Sequence, residues 1–186
     1  MIAAALVATV ALGSQDGLGQ VQADVQPKFQ NGIHFGCEAS FGTVIQDTAY
    51  QQGLPVAVTG SVVLYSWTDR DRVDLVLKLG VGSGSGGWRA PSQAYLVFGY
   101  RTNLAEQTNQ TAAESAGFRL FGYDPGGPVT VETIVQIGVT GRFDVAYTLN
   151  GGSVPMTFPI QLSDQQAKDW DECVDALLSL DSQSPS

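Results

Sequence analysis

The sequence predicts an all-β fold: a single antiparallel β-sandwich or barrel of about eight strands, with a C-terminal α-helix packed on it. Short segments rich in β-branched and aromatic residues recur about every 8–15 residues, a spacing typical of strands separated by turns. The chain contains 22 glycines among its 186 residues, and many of them separate these segments. Only the last periodic segment follows the three- and four-residue repeat of a helix.

The chain begins with an apolar segment, residues 2–12, that is interrupted only by Thr9. Its length is typical of the core of a signal peptide and short for a helix that crosses a bilayer, although no Lys or Arg precedes it. Cleavage of this signal peptide is predicted after Ala23, with a second candidate site after Gly13. The alternative to a signal peptide is that the apolar segment forms a first buried strand or helix of the domain. The predicted organisation is a signal peptide over residues 1–23, one domain over 24–180 and a disordered tail over 181–186.

Alternating and apolar segments predict the strands of this domain. They follow an extended leading segment, residues 24–31, and lie within residues 33–44, 55–67, 73–79, 92–101 and 118–123. Residues 102–115 are predicted to form a long loop or a short surface helix. A further long strand is predicted over residues 129–139, because valine and isoleucine alternate with other residues along it.

The C-terminal end predicts a hairpin followed by a helix. Apolar residues alternate over residues 143–149 and 154–160, and Asn150-Gly151 between them favours a type I′ turn. The second strand contains prolines, which cannot donate ladder hydrogen bonds, so it is expected at a sheet edge.

The helix is predicted to begin at residue 164 and to end near residue 180. Ser163 is a favourable N-cap, and Gln166 is placed to complete a capping box. Trp170, Val174 and Leu177 recur at helical spacing on one face. We therefore expect this helix to cover an open side of the sheet.

Three short segments of this C-terminal unit carry a resemblance to a known family. They are Val145-Ala146-Tyr147-Thr148-Leu149-Asn150-Gly151, then Phe158-Pro159-Ile160, then the helical residues Ala167 and Cys173. The unit resembles the C-terminal ends of small exported alphaproteobacterial proteins of the invasion-associated locus B type. The resemblance covers about a fifth of the chain. It implies a periplasmic or secreted β-sandwich with no catalytic residues to carry over.

The two cysteines, Cys37 and Cys173, lie near the two ends of the predicted domain. An even number of cysteines in an exported protein indicates a disulfide; two buried free thiols are the alternative. The sequence has no CxxC motif and no Cys/His cluster, so a zinc site is not expected. His34 is the only histidine. Strand spacing would place it on the face opposite Cys37, which argues against a Cys–His catalytic pair.

The composition excludes several classes of partner. With 9 Lys+Arg against 18 Asp+Glu, the formal net charge is −9. The sequence has no basic stripe to neutralise nucleic-acid phosphates or anionic lipids. After removal of the signal peptide, the protein is not expected to be an integral membrane protein.

The densest group of carboxylates is formed by Asp69, Asp71 and Asp74. Carboxylate oxygens are calcium ligands, but this segment lacks the glycine and the closing glutamate of an EF-hand loop. A solvated turn with weak surface ion pairs is therefore favoured. We expect no resident metal and no cofactor.

Residues 80–87 form a Gly-Ser segment that is predicted to be a flexible loop, without the ending of a phosphate-binding loop. Trp88 and Arg89 follow it directly. An aromatic side chain beside a loop can stack on a sugar or on a partner protein; the alternative is a tryptophan that covers the core. Together with Tyr95 and Tyr100, these residues form the predicted binding face.

These observations predict an exported, periplasmic or secreted, non-enzymatic β-sandwich that binds a protein, a glycan or another cell-envelope partner. The first alternative is a carbohydrate hydrolase with two carboxylates in a cleft, for which Asp69, Asp71 and Glu132 are candidates. The second alternative is a structural or assembly subunit in which residues 1–13 pack against neighbouring copies.

Overall fold

The computed structural model describes residues 19–66, 73–82, 86–98, 101–102 and 107–179. Strands make up most of its regular structure: β1 (Val21–Gln30), β2 (Ile33–Asp47), β3 (Leu54–Tyr65), β4 (Asp74–Gly82), β5 (Trp88–Arg89), β6 (Gln93–Phe98), β7 (Arg101–Thr102), β8 (Gln107–Ala112), β9 (Phe118–Tyr123), β10 (Arg142–Thr148) and β11 (Met156–Gln161). Helix α1 (Pro128–Thr140) lies between β9 and β10, and helix α2 (Asp164–Ser179) follows β11.

The strands form two antiparallel sheets in a sandwich-like arrangement. In the described residues, the larger sheet has seven strands in the order β1-β2-β3-β4-β9-β8, with β5 also paired to β4. The smaller sheet has four strands in the order β11-β10-β6-β7. The predicted β-rich class and the C-terminal helix are confirmed. Strand β11, which contains Pro159, lies at a sheet edge as expected.

One apolar core lies between the two sheets and beneath the helices. Successive side chains of a strand face opposite sides of the sheet, so alternate residues of each strand point into this core. The larger sheet contributes Leu64, Leu77 and Phe121, and the smaller sheet contributes Leu96 and Val145, all fully buried. The face of the larger sheet that points away from this core is called the outer face below.

Helix α2 packs across β1 and β2. The predicted capping box closes its first turn: Gln166 N–H donates to Ser163 Oγ at 3.3 Å, and Ser163 N–H donates to Gln166 Oε1 at 2.9 Å. Trp170 is fully buried in the middle of the helix. Cys173 forms the predicted disulfide with Cys37 of β2, over a sequence separation of 136 residues. We call α2 and this disulfide the C-terminal clamp.

The predicted strand over residues 129–139 is wrong, because this segment forms helix α1. Its apolar residues recur at steps of both two and four positions, so they fit a strand and a helix equally well. In the helix, one four-residue series faces the core and the other faces solvent. The buried series is Val129, Thr133 and Ile137, and the exposed series is Val131, Val135 and Val139.

The ends of α1 explain why the helix forms. Pro128 occupies the start of the first turn, where its fixed φ angle fits and its missing N–H is not needed. Gly141 closes the helix in the left-handed conformation, with φ of 61°, and its N–H donates to the Ile137 carbonyl. A proline at the start and a glycine after the end are helix signals. Here they prevail over the strand-like alternation.

Other boundaries also differ from the expectation. The segment predicted to be an extended leader is an edge strand that begins at Val21, before the predicted domain boundary at residue 24. Strand β8 lies within the segment predicted to be a loop or a helix. Three predicted segments lie wholly or mostly outside the described residues: the signal peptide (residues 1–18), the solvated turn with Asp69 and Asp71 (residues 67–72) and the tail (residues 180–186). In the part of the chain that is described, neither helix has the length and apolar character needed to cross a membrane.

Candidate functional site

Strand β5 places Trp88 at the surface of the larger sheet. It pairs with β4, so that Trp88 lies opposite Gly82 and Arg89 lies opposite Val81. Trp88 is 40 % exposed. Its ring also contacts Phe118 of β9, with ring centroids 5.3 Å apart and ring planes at 39°. The contact with Phe118 therefore supports an aromatic ring that solvent can reach.

Two glycines shape the surface on which these rings lie. Gly117 has a φ of +84°, and a Cβ atom there would lie 2.5 Å from Cβ of Trp88. Gly80 lies beneath the Phe118 ring, where a Cβ atom would come within 2.6 Å of a ring carbon. Lys78, on the same face of β4 as Gly80, has its Nζ 5.4 Å from the Phe118 centroid, within cation–π reach. We call Trp88, Phe118 and Lys78 the aromatic platform.

Short polar side chains lie beside the aromatic platform on the outer face. Directly paired residues of antiparallel strands lie on the same face of a sheet. Lys78 pairs with Ser61, which in turn pairs with Ser40, and Gly80 pairs with Thr59. These short side chains keep the face flat, but Ser61 is only 3 % exposed and the Thr59 hydroxyl donates to the Phe41 carbonyl at 3.0 Å, so they add little hydrogen-bonding capacity to the surface.

The structure does not bring the other predicted binding residues to the platform. Arg89 is exposed, but it pairs with the core residue Val81 and so starts from the opposite face of the sheet. Tyr95 lies on β6 of the smaller sheet and is 6 % exposed. Burial, with a smaller effect of nearby Tyr50, raises the pKa of its hydroxyl. Tyr100 lies outside the described residues.

Sequence reasoning missed Phe118 and Lys78 as neighbours of Trp88. Phe118 meets the Lys78 strand only because β9 pairs with β4, with Gly80 opposite Phe118. The alternation of β4 shows that Lys78 faces away from the core. No local pattern shows which distant strand will lie beside β4. The platform could therefore not be predicted, because it depends on pairing between strands that are far apart in the sequence.

The predicted carboxylate sites are only partly described. Asp74 is the first residue of β4, partly buried and opposite Tyr65 of β3. Glu132 lies on helix α1. Asp69 and Asp71 lie outside the described residues, so the calcium turn and the carboxylate pair of a hydrolase stay sequence-based hypotheses.

Asp47, at the end of β2, is a fully buried carboxylate that sequence reasoning did not single out. Its Oδ1 accepts hydrogen bonds from the N–H groups of Ala49 and Tyr50, at 3.0 and 2.7 Å. Its Oδ2 accepts the Tyr147 hydroxyl at 2.9 Å. Burial, followed by the charge of Asp47 and this hydrogen bond, raises the pKa of Tyr147. These three donors give Asp47 a structural role in the turn after β2.

A β-bulge changes the direction in which the only histidine points. Lys28 of β1 pairs with Gly36, and Phe29 pairs with His34, so Phe35 is an extra residue in β2. Such a bulge shifts the alternation of side chains by one position. The histidine therefore turns towards the face that carries the disulfide.

The prediction that His34 and Cys37 point to opposite faces is consequently wrong. His34 Nε2 lies 3.8 Å from Cys37 Sγ and 3.5 Å from Cys173 Sγ. The same nitrogen is 3.0 Å from the Gly36 carbonyl oxygen, and the Phe29 ring lies 5.2 Å from the imidazole, centroid to centroid. Since the two sulfurs are bonded to each other, His34 has no thiol to activate in this state.

Comparisons with known proteins assign no function to the aromatic platform or to the group formed by His34, Cys37 and Cys173. No protein-family model, no curated protein and no solved structure matches the chain. The resemblance of the C-terminal unit to the invasion-associated locus B type therefore stays a prediction from a short segment.

Proposed function

We propose that this protein is an exported, non-enzymatic β-sandwich that binds a glycan of the cell envelope through the aromatic platform. The observation that carries the proposal is the Trp88 ring, which is 40 % exposed and supported on Phe118. The positive φ of Gly117 and the close approach at Gly80 accommodate these two rings. A pre-positioned ring loses little conformational freedom when a ligand stacks on it.

The surroundings of Trp88 match the two kinds of surface that a sugar presents. A sugar ring has apolar C–H faces, which stack on aromatic rings, and a rim of hydroxyls that need hydrogen-bonding partners. Thr59, on the same face of the sheet, is partly exposed, and its hydroxyl can accept a hydrogen bond from a sugar while it donates to the Phe41 carbonyl. Lys78 adds a positive charge in a protein whose net charge is −9. This local charge favours a glycan that carries acidic groups over a neutral one.

The disulfide supports export, and the first strand bears on the position of the cleavage site. A disulfide between distant segments persists in oxidising compartments. Cleavage after Ala23 would remove Val21, which pairs with Thr43, and would cut beside the carbonyl that accepts a hydrogen bond from Gln166 of α2. Cleavage after Gly13 leaves β1 intact. We therefore infer that the mature chain begins at Ser14.

Binding is tested with insoluble peptidoglycan, which is acidic, and with chitin and cellulose, which are neutral. We expect the protein to be retained on peptidoglycan, and Trp88→Ala to weaken that retention about tenfold or more, as loss of an anchor residue does. Phe29→Ala is the matched control, because it removes another exposed aromatic ring, on β1. Retention on none of the three polymers, or equal retention of the two variants, would reject the proposal.

Export is tested by N-terminal sequencing of the protein from its native cells. A first residue at Ser14 is expected, with β1 complete. A first residue at Asp24 would support export but contradict the inferred cleavage site. A chain that retains residues 1–13 would contradict cleavage and favour the assembly subunit.

A further inference from the structure

We propose that, once its disulfide is reduced, the protein binds a divalent zinc ion through His34, Cys37 and Cys173. One ligand atom from each of these residues lies within 4.8 Å of the others. The three residues come from the bulged start of β2 and from the middle of α2. The spacing of these three residues in the sequence does not predict that they lie together. Glycan binding does not require this group either, so the zinc inference does not rest on the proposed function.

The distances between these atoms fit a tetrahedral zinc site. With Zn–S near 2.3 Å and Zn–N near 2.0–2.1 Å, a sulfur and a nitrogen on one ion lie about 3.5 Å apart. The two observed Sγ–Nε2 distances are 3.5 and 3.8 Å. Only the two sulfurs must separate. Their Cα atoms are 6.0 Å apart, so rotation of the cysteine side chains can open the required gap without moving the backbone far.

The chemistry requires a reductant, and a dithiol supplies it. The dithiol becomes a cyclic disulfide, and its two electrons and two protons convert the Cys37–Cys173 disulfide into two thiols. Zinc then displaces the two thiol protons, because thiolates are the ligands. His34 binds as neutral imidazole through Nε2, with its proton on Nδ1, so Nε2 no longer donates to Gly36. The fourth position is left for water, as in zinc sites with three protein ligands.

Contacts other than the disulfide hold the ligands near one another after reduction. Trp170, Val174 and Leu177 keep the buried face of α2 on the core, and the capping box at Ser163 closes its start. The Phe29 ring lies against the imidazole and limits its movement. The disulfide and the metal ion use the same sulfurs, so they exclude each other. Metal binding would therefore report the redox state of the protein.

The test uses the full chain, reduced with an excess of dithiol that is then removed without oxygen, with cobalt as a spectroscopic probe and zinc as competitor. We expect one cobalt per chain, a thiolate-to-cobalt charge-transfer band, and its loss on addition of zinc. The oxidised protein should show none of these. His34→Ala should weaken binding about tenfold or more. Asp175→Asn, on the exposed side of α2 near Cys173, is the matched control and should bind as the parent does.

A reduced, folded protein without a cobalt band, or equal affinity of His34→Ala and the parent, would overturn the proposal. If the reduced chain unfolds without metal, circular dichroism gives the answer instead. Zinc should then restore the folded spectrum of the parent but not that of His34→Ala, since binding to the folded state stabilises it. Equal recovery of both, or recovery of neither, would also overturn the proposal.

Discussion

Two tryptophans of this protein, Trp170 in the C-terminal clamp and Trp88 in the aromatic platform, have opposite environments. Trp170 is fully buried between α2 and the sheet, whereas Trp88 is 40 % exposed on the outer face. The clamp is closed by contacts within the chain, the disulfide and the capping box, although the buried Trp170 indole N–H has no hydrogen-bond partner among the described residues. The platform leaves much of the Trp88 side chain exposed, although the close approach of Gly117 accommodates its ring. The difference separates a structural use of tryptophan from a surface available for recognition.

The comparison predicts that changes in the clamp act on folding and changes in the platform act on binding. The largest effect is expected from removal of the disulfide, by Cys37→Ala together with Cys173→Ala. The cross-link closes a loop with a sequence separation of 136 residues, so its loss should lower the free energy of unfolding by about 5 kcal/mol from loop entropy alone. Urea unfolding measures this. A loss below about 1 kcal/mol would show that the clamp does not depend on its covalent link.

The second prediction compares the two tryptophans directly. Trp170→Ala should lower the free energy of unfolding by about 4 kcal/mol, because it leaves a cavity in the core. Trp88→Ala should cost about 1 kcal/mol, the order of the Trp88–Phe118 ring contact. Urea unfolding of both variants, monitored by far-ultraviolet circular dichroism, gives the two values. Similar values would remove the distinction between clamp and platform.

The third prediction concerns the Asp47–Tyr147 pair beneath the turn after β2. Tyr147→Phe should cost about 2 kcal/mol at neutral pH, because a buried carboxylate loses one of its donors. The folded state raises the Tyr147 pKa. The unfolded chain therefore ionises first, and stability falls as pH rises above about 10. This alkaline loss should be smaller in Tyr147→Phe when unfolding is measured at neutral and alkaline pH. The same pH dependence in both proteins would contradict the assignment.

The smallest effect in the clamp is expected at its cap. Ser163→Ala removes the side chain that accepts from Gln166 N–H, and it should cost about 1 kcal/mol of unfolding free energy. Ser153→Ala, at an exposed loop position, is the matched control and should change stability little. Thermal unfolding of the two variants makes the comparison. A cost at Ser163 no larger than that at Ser153 would mean that the capping box contributes nothing measurable.

The clamp could be predicted because its signals are local. The residues of the capping box and the buried residues Trp170 and Val174 lie within a few turns of one helix. In the preceding hairpin, the dipeptide Asn150-Gly151 alone predicts the turn. Both residues of that turn have positive φ, 54° and 72°, as a type I′ turn requires. The disulfide could be predicted because only one pairing of two cysteines exists.

The features that were not predicted depend either on ambiguous local patterns or on pairing between segments that are far apart in the sequence. The sequence of helix α1 also fits a strand because its valines satisfy both repeats, and the signals that decide for a helix are Pro128 and Gly141 at its ends. The direction of His34 depends on a bulge at Phe35, which inverts a simple alternation. The aromatic platform depends on the pairing of β4 with β9, which brings distant segments together.

The most direct test of the platform is a nuclear magnetic resonance titration of isotope-labelled protein with a soluble digest of peptidoglycan. The chain contains three tryptophans; the Trp88→Ala and Trp170→Ala variants assign the two indole N–H signals that matter. The account predicts that the Trp88 indole signal shifts in a saturable manner while the Trp170 signal stays unchanged. No shift at Trp88 while signals elsewhere respond, or equal shifts at both tryptophans, would contradict it.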